Sequence, residues 1–219
     1  MSSIAVYNFN DALENAAVGV GNVRDDTGNY HGDVVAASVS IVDGPIGEKS
    51  RVFTGGGVNR ISIPHNSVFN FFGNNRTVEL WAKYTALTST WTLTKYNTAR
   101  TNGPFDFYVT SNKVRVRMTD NILTKAIFGP TVVLDTWYYM AMTYNGTSHA
   151  MKFYVNGALW GVDTQAMTAA MDTTDPIVGS QTANGFYGEL GGIRISDTEK
   201  SYKEIYDYYM GSNVKEGVT

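Results

Sequence analysis

The sequence runs to 219 residues with a formal net charge of -3, 43% hydrophobic and 13% aromatic residues, and no cysteine. A chain of this size and composition can build a sizeable core without crosslinks, and the lack of cysteine excludes disulfides and thiolate metal sites. Charged residues amount to only 17%, so no basic field draws in phosphate backbones or lipid headgroups, which argues against nucleic-acid partners and membrane insertion.

Met1-Ser2-Ser3 leads straight into Ile4-Ala5-Val6-Tyr7, and the first cation is Arg24. A charged segment followed by an apolar one, the mark of a secretion signal, is not encoded. No apolar stretch approaches the roughly 20 residues needed to span a bilayer. From there strand signals dominate. Runs at Ile4–Phe9, Val34–Val42, Arg51–Phe53 and Asn59–Ile63 are short and rich in branched and aromatic residues, as strands are. In 77–84 the positions Val78, Leu80, Ala82 and Tyr84 alternate with Thr77, Glu79, Trp81 and Lys83, a period of two with Trp81 as the amphipathic intruder. Trp91–Lys95 and Phe105–Val109 follow. Lys113–Thr119 alternates more cleanly, with Val114, Val116 and Met118 against Lys113, Arg115 and Arg117, so one face of that sheet should be wet. After Tyr138–Tyr144, the run Met151–Val155 meets Asn156-Gly157, the positive-φ pair of a tight type I′ hairpin, before Ala158–Val162. Leu190–Ile195 completes the series.

Only the C-terminal end reads as a helix. Ser196 and Glu199 have the spacing of a capping box, and Tyr202, Ile205, Tyr206, Tyr209 and Met210 fall on one helical stripe, which predicts an aromatic face packed on the strands. Many short strands at regular spacing predict an all-β sandwich or barrel, and nothing in the chain marks a linker, so one domain over 1–219 is expected.

Several strings, in order, resemble the laminin-G-like family of concanavalin A-type jelly rolls. These are 7–11 (Tyr-Asn-Phe-Asn-Asp), 25–32 (Asp-Asp-Thr-Gly-Asn-Tyr-His-Gly), 53–57, 61–64, 77–83, 137–146 (Trp-Tyr-Tyr-Met-Ala-Met-Thr-Tyr-Asn-Gly), 153–157, 177–179, 186–190 and 193–195. The resemblance spans nearly the whole chain and implies a two-sheet antiparallel jelly-roll sandwich with a short C-terminal helix. Relatives with this sandwich include glucanases that use a Glu-x-Asp-x-Glu strand, whose alternation points the carboxylates into one groove. That string is absent here; Asp11 with Glu14, and Glu189 alone, do not replace it. His31, His65 and His149 lie far apart, without metal-ligand spacing or a nucleophile motif nearby. No enzyme is expected.

Two candidate sites remain. Asp25, Asp26 and Asn29 set hard oxygen ligands in a glycine-bearing loop, where some relatives bind calcium, although Asp and Asn also fill turns without a metal. The family's Asp in the closing strand is missing from Gly188-Glu189-Leu190-Gly191-Gly192. Around the Trp91–Lys95 strand, Trp91, Tyr96, Asn97, Arg100 and Asn102 combine rings with amide and guanidinium donors suited to sugars, and Trp160 follows the 156–157 turn. Two functions fit: a virion-surface protein of a bacteriophage, in the capsid decoration or tail, made in the host cytosol and bound to other virion proteins or copies of itself; or a lectin-like module, extracellular or at a cell surface, holding a cell-surface glycan.

Overall fold

The computed structural model describes residues 3–10, 19–35, 40–45, 49–56, 59–71, 73–87, 90–96, 101–167, 173–179 and 185–216. In chain order its strands are β1 (Ser3–Tyr7), β2 (Gly19–Val23), β3 (Gly32–Val34), β4 (Ser40–Asp43), β5 (Lys49–Thr54), β6 (Ile61–Ser62), β7 (Arg76–Tyr84), β8 (Thr90–Lys95), β9 (Asn102–Thr110), β10 (Lys113–Asp120), β11 (Thr124–Thr131), β12 (Trp137–Tyr144), β13 (Met151–Val155), β14 (Ala158–Asp163), β15 (Ile177–Val178) and β16 (Tyr187–Ser196), followed by the helix α1 (Tyr202–Glu216). They form two antiparallel sheets. The first runs β14-β13-β12-β7-β16-β5-β4, with β1 beside the C-terminal half of β16; the second runs β11-β10-β9-β8-β15-β6-β3-β2.

The core lies between the sheets because alternation turns one apolar set inward from each. Val78, Leu80, Ala82 and Tyr84 of β7 face Phe105, Phe107 and Val109 of β9 and Val114, Val116 and Met118 of β10 in one cluster, all at 0% exposure. The expected sandwich is therefore present. The 156–157 turn also has the expected form: Asn156 and Gly157 have φ of 49° and 76°, and Val155 pairs with Ala158. Gly188 shows what a closely packed sheet demands of a glycine. Its φ is +149°, and a Cβ there would stand 1.9 Å from the carbonyl oxygen of Lys83 on β7.

The structure departs from the sequence reading in several places. The run 34–42 is not one strand: β3 belongs to the second sheet and β4 to the first, so the chain changes layer between them. Strand β11 escapes the pattern because Gly129-Pro130 interrupts it and a register shift intervenes against β10; β2, Gly-Val-Gly-Asn-Val, is diluted by glycine. The helix is capped one motif later than read. Ser196 ends β16, whereas Ser201 and Glu204 form the box: the Ser201 hydroxyl accepts from the Glu204 amide at 3.3 Å and the Glu204 carboxylate accepts from the Ser201 amide at 2.6 Å. The packed stripe also differs from the one read. Ile205, Tyr208 and Tyr209 lie on the outer face of the first sheet against Trp81, Tyr139, Ala141 and Tyr154, while Tyr202, Tyr206 and Met210 stay exposed.

Beneath that helix the outward side of β7 is dry. Glu79, 1% exposed, accepts from the Tyr139 hydroxyl at 2.5 Å and from Arg194 at 3.1 Å, and pairs with Lys200. Burial, reinforced by the neighbouring carboxylate, pushes the Tyr139 phenol well above its ordinary range, so it remains a donor. Two cations and a phenol around one carboxylate tie β7, β12, β16 and the segment before α1 together.

Candidate functional site

The outer face of the second sheet holds the densest constellation of rings and charges. Because Phe105, Phe107 and Val109 point inward from β9, Asp106 and Tyr108 point outward. The same argument turns Arg115 and Arg117 outward on β10. Register then decides what meets. Trp91 on β8 stands opposite Tyr108, Tyr108 opposite Arg115, and Arg115 opposite Phe128 on β11. One row of side chains therefore crosses four strands, a span of about 14 Å at the usual strand spacing.

The contacts along this row are close. The Trp91 and Tyr108 rings stack with centroids 4.8 Å apart. The Arg115 guanidinium lies 5.1 Å from the Tyr108 centroid and 4.7 Å from that of Phe128, within cation–π range of both. Phe128 is 45% exposed, and Trp91 is half-buried. A second row supports the first. Arg117 lies 5.0 to 5.6 Å from the rings of Tyr96, Tyr108 and Trp91, contacts the Tyr96 hydroxyl, and pairs with Asp106 at 3.3 Å. Asp106, fully buried, also accepts from the Tyr96 hydroxyl at 2.9 Å. Burial lowers the Arg117 guanidinium pKa and raises that of the Tyr108 phenol, the latter opposed by Arg115.

Of the residues singled out by sequence for sugar contact, Trp91 and Tyr96 come together here, with Tyr96 buried beneath the rings rather than presented. Asn102 is also buried, at the start of β9 opposite Asp120. Asn97 and Arg100 lie outside the described residues, as do Asp11 and Glu14. Trp160 is 47% exposed but belongs to β14, the edge of the other sheet, and does not join the row. Sequence reading missed Tyr108, Asp106, Arg115, Arg117 and Phe128 as site residues. A signal was present: Ser111 and Asn112 both have positive φ in a two-residue turn that pairs Thr110 with Lys113. Reading that turn would have set Tyr108 against Arg115 and Asp106 against Arg117.

The 25–31 loop closes on itself. The Asp25 carboxylate, 2% exposed, accepts five hydrogen bonds: from the amides of Val6, Thr27, Asn29 and Tyr30 and from the Thr27 hydroxyl. Asp26 and Asn29 are exposed; Asp26 accepts from the Asn8 side chain at 2.6 Å, and Asn29 donates to Thr27. The donor set suits calcium in type, yet the buried carboxylate's lone pairs are committed to the turn, so a cation would have to displace backbone donors. Among the described residues no three His, Cys, Asp or Glu side chains are gathered as a metal site. The histidines stand apart: His31 Nδ1 accepts from the Asp25 amide, His65 Nδ1 faces Lys95, and His149 Nδ1 faces the Tyr144 hydroxyl. Glu189 pairs with Lys83 at 2.7 Å.

A sandwich of this topology, with rings and guanidinium groups laid across one sheet, is the architecture of a lectin-like jelly roll. The family model described as Concanavalin A-like lectin/glucanases superfamily, of laminin-G type, matches residues 55–206, and the chain belongs to that superfamily. No curated protein matches it. Among solved structures, the binding domain of Paraclostridial Mosquitocidal Protein 1 is similar with a TM-score of 0.73 at 16% identity, covering 94% of this chain and 51% of that one. The ligand binding domain of botulinum neurotoxin serotype D, in complex with N-acetylneuraminic acid, gives 0.74 at 15% identity over 96% and 51%. Domain 4 of AbnA, a GH43 extracellular arabinanase from Geobacillus stearothermophilus, in complex with arabinotriose, gives 0.70 at 19% identity over 94% and 97%. The chain thus spans about half the length of the toxin binding domains and nearly all of the arabinanase domain. Among the described residues no helix is long and apolar enough to cross a membrane.

Proposed function

We propose that this chain is a non-catalytic, lectin-like domain that binds a glycan across the outer face of its second sheet. The observation that carries the reading is the Trp91–Tyr108–Arg115–Phe128 row. It offers apolar ring surface at both ends, donors between them, and a length suited to a short oligosaccharide. The Trp91 and Tyr108 rings are braced before a ligand arrives by the Arg117–Asp106–Tyr96 group, which lowers the ordering cost of binding. The superfamily and the arabinotriose and N-acetylneuraminic acid named with two similar structures support the same reading. In it the whole of 1–219 acts as one binding domain at an extracellular or cell surface. Placement on a virus particle gains no support from the compared proteins, which are toxin binding domains and a domain of an arabinanase.

The test is affinity electrophoresis of the full chain through a panel of soluble polysaccharides, arabinan included, followed by calorimetry on those that retard it. Trp91→Ala and Phe128→Ala should each weaken binding by about 2 kcal/mol, roughly 30-fold, as truncation of a ring at a binding hot spot does. Binding that survives both substitutions would place the ligand elsewhere; no retardation by any polysaccharide would remove the reading.

A further inference from the structure

Building on that reading, we infer that the glycan is acidic and that Arg115 receives a sugar carboxylate. The two outward arginines of β10 are not equivalent. Arg117 has a counter-charge in Asp106 at 3.3 Å. Arg115 meets the Phe128 ring, the Tyr108 ring and the Tyr108 hydroxyl, and among the described residues no carboxylate partners it. A guanidinium held between two rings has little freedom to turn, and its outer N–H groups can present a fork to a planar carboxylate.

The surroundings carry the same sign. The outward positions of β9 and β10 place Lys113, Arg115 and Arg117 against the single carboxylate of Asp106, on a protein whose net charge is -3. A local cationic strip on an acidic protein attracts anions while the rest of the surface repels them. A neutral sugar would use the rings and offer Arg115 hydroxyl acceptors but no counter-charge. A hexuronic acid stacked on Phe128 or Trp91 brings the missing counter-charge with it.

The experiment is calorimetry of the full chain with polygalacturonate, alginate and hyaluronan oligosaccharides, each beside its carboxyl-reduced, neutral counterpart. At least one acidic oligosaccharide should bind 10-fold or more tightly than its reduced form at low salt, with the advantage shrinking as salt rises. Arg115→Met keeps the stem between the two rings; it should erase the acid preference while leaving thermal stability near that of the parent. Arg115→Lys should restore part of it. Equal binding of acidic and reduced forms, still abolished by Trp91→Ala, would overturn the carboxylate assignment and leave the glycan site standing. If no acidic form binds while a neutral polysaccharide of the broader panel does, the assignment is likewise overturned. Failure of every polysaccharide, acidic and neutral, would overturn both.

Discussion

Asp106 is the group whose removal best tests how the ring row is held. It is fully buried, accepts from the Tyr96 hydroxyl at 2.9 Å and neutralises Arg117, whose side chain is 18% exposed. In Asp106→Ala the Tyr96 hydroxyl loses a charge-assisted hydrogen bond, worth about 1.5–3 kcal/mol. Arg117 also loses its counter-charge, and breaking a fully buried pair from one side costs about 3–5 kcal/mol. These terms overlap, and Arg117 retains some water and three rings, so the lower end applies: about 3 kcal/mol in total. Asp106→Asn keeps an acceptor for Tyr96 but no charge and should cost about 1–2 kcal/mol. Guanidinium denaturation followed by tryptophan fluorescence reads both, provided the slope stays constant. Both proteins should remain folded, and both should lose glycan affinity together with the near-ultraviolet signal of the Trp91–Tyr96–Tyr108 group. If Asp106→Ala unfolds within 0.5 kcal/mol of the parent, roughly the scatter of a surface substitution, Asp106 does not hold the rings and the reasoning fails.

Other perturbations probe the frame around the site. Glu79→Ala leaves Arg194 and Lys200 without their shared carboxylate beneath α1, and should cost about 3–5 kcal/mol in the same denaturation assay; Glu79→Gln should cost visibly less. Gly188→Ala forces a Cβ against the Lys83 carbonyl at 1.9 Å and should prevent accumulation of soluble folded protein; normal yield and melting temperature would contradict the strand geometry. Asp25→Ala should cost about 2–4 kcal/mol because four amides and one hydroxyl lose their acceptor. With that carboxylate occupied by the turn, millimolar calcium or a chelator should leave the melting temperature unchanged, and a calcium-dependent rise would show a cation displacing those donors. At the start of α1, hydrogen bonds from Ser201 lower the Glu204 pKa below its ordinary 4.5. A folded pKa below the unfolded one adds stability that is complete above pH 4.5 and fades as pH falls through the depressed value. Helix docking, read by Trp81 fluorescence, should therefore loosen in acid, and Glu204→Ala should flatten that dependence.

Much of the core was legible in the sequence, since period-two alternation in 77–84 and 113–119 specifies an inward face whatever the partner strand is. The sheet to which each strand belongs was not, as the layer change between β3 and β4 shows. The sequence by itself also determined the 156–157 hairpin, because a two-residue turn with positive φ at both positions fixes its register locally. The buried side of β7 was not legible in this way: Glu79 and Trp81 read as outward and are outward, yet α1 covers them. Two Ser-x-x-Glu motifs stand five residues apart, and only the length of β16 decides which of them caps the helix. The candidate site divides along the same line. Trp91 and Tyr96 could be picked out as aromatic residues near one strand, but a ligand surface is made of what stands side by side across strands. Trp91, Tyr108, Arg115 and Phe128 are brought into one row by cross-strand register, and Trp160 is kept off it by belonging to the other sheet. Register beyond a single hairpin depends on non-local pairing, which local sequence pattern does not encode.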